Sequence, residues 1–184
     1  MKRFLLIAGI LALIIVGLLA FFRLYHTKKL SPEENVNFSS GDLKVNVFYN
    51  SPSKKGRVIF APDGLVPFGK IWRTGANEPT TFETSQDLLI NGQELKKGRY
   101  SLWTIPNEQA WTVIFNTNIP HWGVRFDGPA ARTPETDALK VEVPVVIQEK
   151  EFEKFTINVE KTDEGFELIL IWDKTLVAVP FTTR

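Results

Sequence analysis

Short runs of alternating or β-branched apolar residues, each closed by turn-forming residues, occupy this chain from Leu43 to its end. In "LKVNVFY", Leu43, Val45, Val47 and Tyr49 fall on one face of an extended strand, because strand side chains alternate with a period of two. Comparable runs follow: "RVIF", "TTFET", "DLLI", "RYSLWTI", "WTVIFN", "ALKVEVPVVI", "EFEKFTINVE", "FELILIW" and "TLVAVPF". All favour the residues that fit a pleated, half-buried surface. Between them, Asn91-Gly92 accepts the positive φ angles of a two-residue hairpin. Lys96–Gly98 and Asp163–Gly165 each end in the residue that turns at least steric cost. Only "GPAARTPETDA" is long and plain enough for a short helix, and its two prolines weigh against one. Roughly ten short strands joined by turns predict an all-β domain, an antiparallel β-sandwich or flattened barrel. The five Trp residues, at 72, 103, 111, 122 and 172, all lie in it, and most belong in its core.

The first 30 residues differ in kind. The 19 residues from Phe4 to Phe22 carry no charge. As a helix they would cover roughly 28 Å, close to the hydrocarbon thickness of a bilayer. Lys2 and Arg3 precede the run, and Arg23, Lys28 and Lys29 follow it. A cleavable signal peptide has a shorter apolar core, about 7–15 residues, and a small-x-small exit. Here the exit reads "GLLAFFRLYHTKK", with Leu18 two residues before Ala20 and two Phe after it, and there is no Cys to carry a lipid. The expectation is an uncleaved signal anchor over residues 1–25, with the membrane as a partner through residues 4–22. Residues 26–41 read as a polar juxtamembrane tether and 42–184 as the β domain. Basic residues flank both ends of the run almost equally, so orientation follows from the export-type segment preceding the folded region: N-terminus inside, domain outside.

All 21 acidic residues but only 17 of the 22 basic ones lie beyond residue 30, a surplus of four acids. No basic stripe results, which excludes nucleic acid as the expected partner. "GLVPFGKI" matches the opening of a phosphate-binding loop through Gly64, Gly69 and Lys70, but fails where the chemistry lies. Ile71 replaces the hydroxyl that would meet magnesium, and Pro67 removes a backbone donor. No Ser stands in a nucleophile elbow. His26 flanks the apolar run, leaving His121 as the one domain histidine. A metal would need His121 joined by distant carboxylates such as Asp63, Glu78 or Asp127, without the clustered spacing of zinc sites. No catalytic residue, metal site or cofactor is assigned.

The densest polar run is "KIWRTGANEPTT", Lys70 to Thr81. Read structurally, Trp72 plugs the core, Gly75 and Asn77 make an unusual turn, and Arg73 pairs with Glu78. Read functionally, Arg73 and Asn77 stand at the rim of a pocket that binds a carboxylate or sugar. Both readings stay open at this point.

The stretch from Gly64 to Asn116 closely resembles a bacterial family known as domain of unknown function 2911. The shared pattern is LVP-[YF]-G-K-x-WRTGANE, then a G-x-x-L-x-x-G-x-YSL-[FW]-TIP segment, then WTVIFN. The later "HWG" and "DALKVEV" segments are also similar. Pro79 stands where Ala is common in the family, and the segment after His121 is richer in Pro and Ala. The resemblance implies an exported, β-rich envelope domain and carries no established activity. The expected role is therefore a membrane-anchored envelope module, single-pass in the bacterial inner membrane with its domain on the periplasmic side. It would bind a small molecule, glycan or protein without catalysis, through Trp72, Arg73, Asn77, Glu78, His121 and Trp122. The alternatives are a hydrolase built from Arg73, Asn77 and Glu78 with His121 or Asp127, and a structural element of an envelope complex.

Overall fold

The computed structural model describes residues 2–22, 25 and 27–184, with the side chains of Lys2 and Leu5 outside the description. The flank at Arg23 and the position of His26 also lie outside it. Helix α1 spans Lys2–Phe21 and a single turn, α2, spans Thr27–Leu30. The regular structure beyond them is mainly antiparallel β, joined by turns and loops. Strands β1 (Glu33–Ser40), β2 (Leu43–Asn50), β3 (Phe60–Ala61), β4 (Val66–Pro67) and β5 (Thr80–Thr84) come first. They are followed by β6 (Leu88–Ile90), β7 (Gln93–Leu95), β8 (Gly98–Ile105), β9 (Ala110–Asn116), β10 (Asp137–Thr162) and β11 (Gly165–Thr183).

Nine of these strands form one sheet in the order β1-β2-β5-β8-β9-β10-β11-β6-β7, while β3 and β4 make a small parallel pair. The alternation in β2 becomes burial: Leu43, Val45, Val47 and Tyr49 are all in the core. Asn91 and Gly92, with φ 47° and 76°, form the tight turn between β6 and β7. Gly165 closes the turn between β10 and β11 at φ 146°, where a Cβ would meet the Phe181 carbonyl at 2.8 Å.

Strand β10 joins the two halves of the sheet. Asp137–Pro144 pairs with β9, and Val145–Thr162 pairs with β11. Pro144 lacks the N–H that continued pairing requires, so it suits the point of exchange. Register shifts between Ile147 and Phe152, and again before Thr156, bend the strand further. Its middle then receives the chain leaving β2: the Lys54 N–H donates to the Glu153 carbonyl at 2.7 Å and the Phe155 N–H to the Pro52 carbonyl at 2.9 Å. Rings from strands distant in the sheet order meet inside, Phe38 with Phe166, Tyr49 with Phe155 and Phe82 with Phe181. The sheet thus folds over one core. Trp72, Trp111 and Trp172 are buried in it, Trp103 is buried outside it, and Trp122 is half-buried in a loop.

Several elements differ from the sequence reading. Residues 33–40, within the polar stretch read as a tether, pair along their whole length with β2. "RVIF" contributes only Phe60 to a strand, because Lys55 and Gly56 turn at positive φ and Val58 is exposed. "GPAARTPETDA" holds one 3-10 turn, Pro134–Thr136. The expected transmembrane span is present as a helix, with Phe4, Leu13 and Leu19 among its exposed side chains. Counted over the described residues, however, no helix is long and apolar enough to cross a membrane. The reading of residues 4–22 as a span, which runs through Leu5, remains a proposal.

Phe155 is fully buried and meets Tyr49, Trp72 and Trp172 edge-on or tilted. Phe155→Ala should cost about 3–5 kcal/mol and lower the melting temperature by roughly ten degrees. A calorimetric melt that moves by less than about two degrees would show that this aromatic cluster is not the centre of the core.

Candidate functional site

The loop from Trp72 to Thr80 leaves the sheet and returns to it. Trp72 starts it with a two-bond bridge to Thr104, N–H to carbonyl at 2.7 Å in one direction and 2.9 Å in the other. The Thr80 N–H donates to the Arg73 carbonyl at 3.2 Å and closes the loop, and the Thr80 hydroxyl bonds the Thr74 carbonyl. Between these ends Thr74, Gly75 and Asn77 have φ of 56°, 150° and 57°. A β-branched residue at positive φ is strained. Thr74 is held there by burial and by its hydroxyl contact to Thr104 at 3.2 Å. Gly75 is required for a second reason: a Cβ would stand 2.9 Å from the Asn50 carbonyl.

Asn50, fully buried at the end of β2, anchors the other side. Its carbonyl accepts the Ala76 N–H at 3.3 Å. Its side-chain amide donates to Glu78 at 3.0 Å, and its Oδ1 accepts from Asn77 at 3.4 Å. Glu78 in turn pairs with Lys28 of α2 at 2.9 Å, and the Asn77 amide reaches the Thr27 carbonyl at 3.5 Å. Burial by itself would raise the Glu78 carboxyl. The hydrogen bond and charge of Lys28, with bonds from the backbone and Asn50, outweigh it and hold Glu78 below the usual carboxylate range. The expected Arg73–Glu78 pair does not form. The left-handed turns between the two residues send Glu78 to Asn50 and Lys28, and leave Arg73 on the opposite side.

No hydrogen bond or ion pair reaches the Arg73 guanidinium among the described residues. Its Nε is buried without a partner, and burial alone pushes its pKa down. Gly123 lies against its stem so closely that a Cβ would fall 2.0 Å from Cδ, and the Gly123 N–H is bonded to the Asn77 carbonyl at 2.9 Å. Arg73 lines a cavity of about 330 Å³. Trp72 and Trp172, stacked with centroids 6.0 Å apart, supply its aromatic wall, and Leu30 and Leu65 further apolar surface. Among the described residues, Lys55 and Arg57 are the other charged ones that line it, and no carboxylate does. The Arg57 guanidinium is oriented by the Ser53 and Lys54 carbonyls, at 2.6 and 3.0 Å. Neighbouring Lys54 is neutralised by Asp173 and Glu151, at 2.8 and 2.9 Å.

Of the six residues expected at a site, Trp72 and Arg73 line this cavity, whereas Asn77 and Glu78 belong to the Asn50 network behind it. His121 is exposed, and Trp122 lies in a second cleft with Leu19 and Phe22 of the N-terminal segment. Asp127 pairs with Arg125 at 3.1 Å on the surface. The residues named for a hydrolase therefore do not meet in the cavity. Among the described residues no three His, Asp or Glu side chains come together to hold a metal. Sequence reasoning missed Asn50, Lys28, Lys55, Arg57 and Trp172. Arg57 was hidden at the start of an expected strand, and Lys28 was read only as a membrane flank.

Asn50→Ala would strip partners from Asn77 and Glu78 and should cost about 2–3 kcal/mol in denaturant melts, whereas Lys28→Ala, which breaks a partly exposed pair, should cost less than about 1 kcal/mol. Because Glu78 is depressed in the folded state, its contribution is present above the ordinary carboxylate range. It is lost as pH falls below about 4, and Glu78→Gln should flatten that part of the stability profile. Equal losses for Asn50→Ala and Lys28→Ala would place the organising contact at the ion pair instead.

No curated protein and no solved structure shows significant similarity to the chain. A family model described as "Protein of unknown function (DUF2911)" matches residues 31–181, from the Ser that follows α2 to Phe181 near the end of β11. The chain therefore belongs to the DUF2911 family.

Proposed function

We propose that this is a membrane-anchored envelope domain that binds a small molecule carrying an anionic group on an apolar or aromatic body. The observation that carries the reading is the half-buried Arg73 side chain, whose Nε is buried without a partner, lining a cavity whose other charged residues among those described, Lys55 and Arg57, are also cations. An uncompensated buried charge is costly, and a bound carboxylate or phosphate would accept its parallel N–H donors. The stacked Trp72 and Trp172 rings supply aromatic lining for an apolar body, and the cavity volume falls within the range of small-molecule sites. Anchoring is supported by the uncharged run Phe4–Phe22 and by the exposed apolar surface of α1. We place the domain on the periplasmic face of the inner membrane because it follows an export-type segment.

Thermal shifts of the full chain in nanodiscs test this reading, with short alkyl or aryl phosphates and carboxylates set against the matching neutral alcohols and simple glycans. A ligand at a hundredfold excess over its dissociation constant stabilises by about 2.7 kcal/mol, a rise of roughly five to ten degrees. The anionic series should produce it in the parent and not in Arg73→Gln. Equal shifts with the neutral compounds, or an undiminished shift in Arg73→Gln, would overturn the reading.

A further inference from the structure

We propose that the loop Trp122–Phe126 is a second membrane contact, lodged in the lipid headgroup and upper acyl region beside the exit of α1. The inference rests on the anchor reading above and extends it from the helix to the domain. Phe126 is fully exposed, and Val124 and Trp122 lie close to it in the loop. These residues line one cleft of about 570 Å³ together with Leu19 and Phe22. Leu19 lies one helical turn before Phe22, so roughly 4–5 Å below the end of the apolar run. A loop that shares a cleft with Leu19 must lie at that depth if the helix spans.

A second set of contacts gives the domain the same orientation. Thr27, just beyond the apolar run, accepts the Asn77 amide, Lys28 pairs with Glu78, and the Asn77 carbonyl accepts the Gly123 N–H. These contacts hold the loop beside the helix exit. Its chemistry suits that depth: Trp favours the headgroup level, Phe126 and Val124 suit the acyl boundary, and the exposed Lys29 can meet lipid phosphates, while Arg125 is paired with Asp127 at 3.1 Å. The occupant is therefore the bilayer interface of the chain's own membrane.

The chain contains no Cys, so single substitutions allow site-specific nitroxide labelling of the full-length protein in nanodiscs. Three positions suffice. Phe126→Cys replaces a fully exposed side chain, Leu13→Cys reports the middle of α1, and Asp42→Cys marks the exposed turn before β2, roughly 25 Å from Asn50 along that strand. Relaxation by oxygen against a water-soluble nickel complex reads depth. The expected result is a label at position 13 deep in the bilayer, one at 126 within about 5–10 Å of the phosphate level, and one at 42 in water. A label at 13 in the bilayer with 126 as aqueous as 42 would overturn the loop proposal and leave the anchor standing. A label at 126 shielded from both reagents would overturn it in favour of a protein neighbour or a second copy. An aqueous label at 13 would overturn the anchor reading and the loop proposal with it.

Discussion

A buried amide must find partners for all of its polar atoms, and at Asn50 those partners determine the course of the loop from Trp72 to Thr80. Its carbonyl takes the Ala76 N–H, its amide meets Glu78, and its Oδ1 meets Asn77. The backbone cannot reach these positions without Gly75, whose missing Cβ allows an approach to the Asn50 carbonyl, and without left-handed turns at Thr74 and Asn77. The same geometry commits Glu78 to Asn50 and Lys28 and leaves no acid beside Arg73. The isolation of Arg73 is thus a consequence of how the loop is fastened.

The loop consequently has two sides of different character. Toward Asn50 it is a satisfied network of the kind that holds a fold together. Toward the cavity it presents a guanidinium whose buried Nε has no partner, braced by Gly123 and flanked by stacked Trp rings. Proteins tolerate such unpaired groups where the group does something other than stabilise. Beyond its fastened side, the network reaches Thr27 and Lys28 and so connects the cavity wall to the segment that follows α1.

Local features were legible wherever short-range physics decides. Period-two alternation in "LKVNVFY" and positive-φ tolerance at Asn91-Gly92 gave β2 and the β6–β7 turn, and most of the Trp residues are buried as expected. Strands β10 and β11 each looked like two strands. Pro144 and the charged stretch around Glu149–Lys154 resemble a break, and only the change of partner from β9 to β11 makes one strand of them. Strand β1 escaped notice because it is a polar edge strand with no buried residue. Of the residues expected at a site, Trp72 and Arg73 line the cavity, but the pairing of Arg73 with Glu78 was inferred from nearness in sequence. Nearness fixes direction only when the intervening backbone is regular, and Thr74, Gly75 and Asn77 are not. Lys28 and Asn50 come from other parts of the chain and left no local signal.

The stability of Arg73→Met tests the central claim most directly. Met keeps much of the stem that packs on Gly123 and removes the guanidinium with its charge and donors. If Arg73 is an unpaired group held for a ligand, denaturant melts of the unliganded protein should place the variant within about 1 kcal/mol of the parent, or above it. A loss of about 3–5 kcal/mol, the cost of breaking a buried charge pair, would show that Arg73 belongs to the network that holds the fold and would contradict the account.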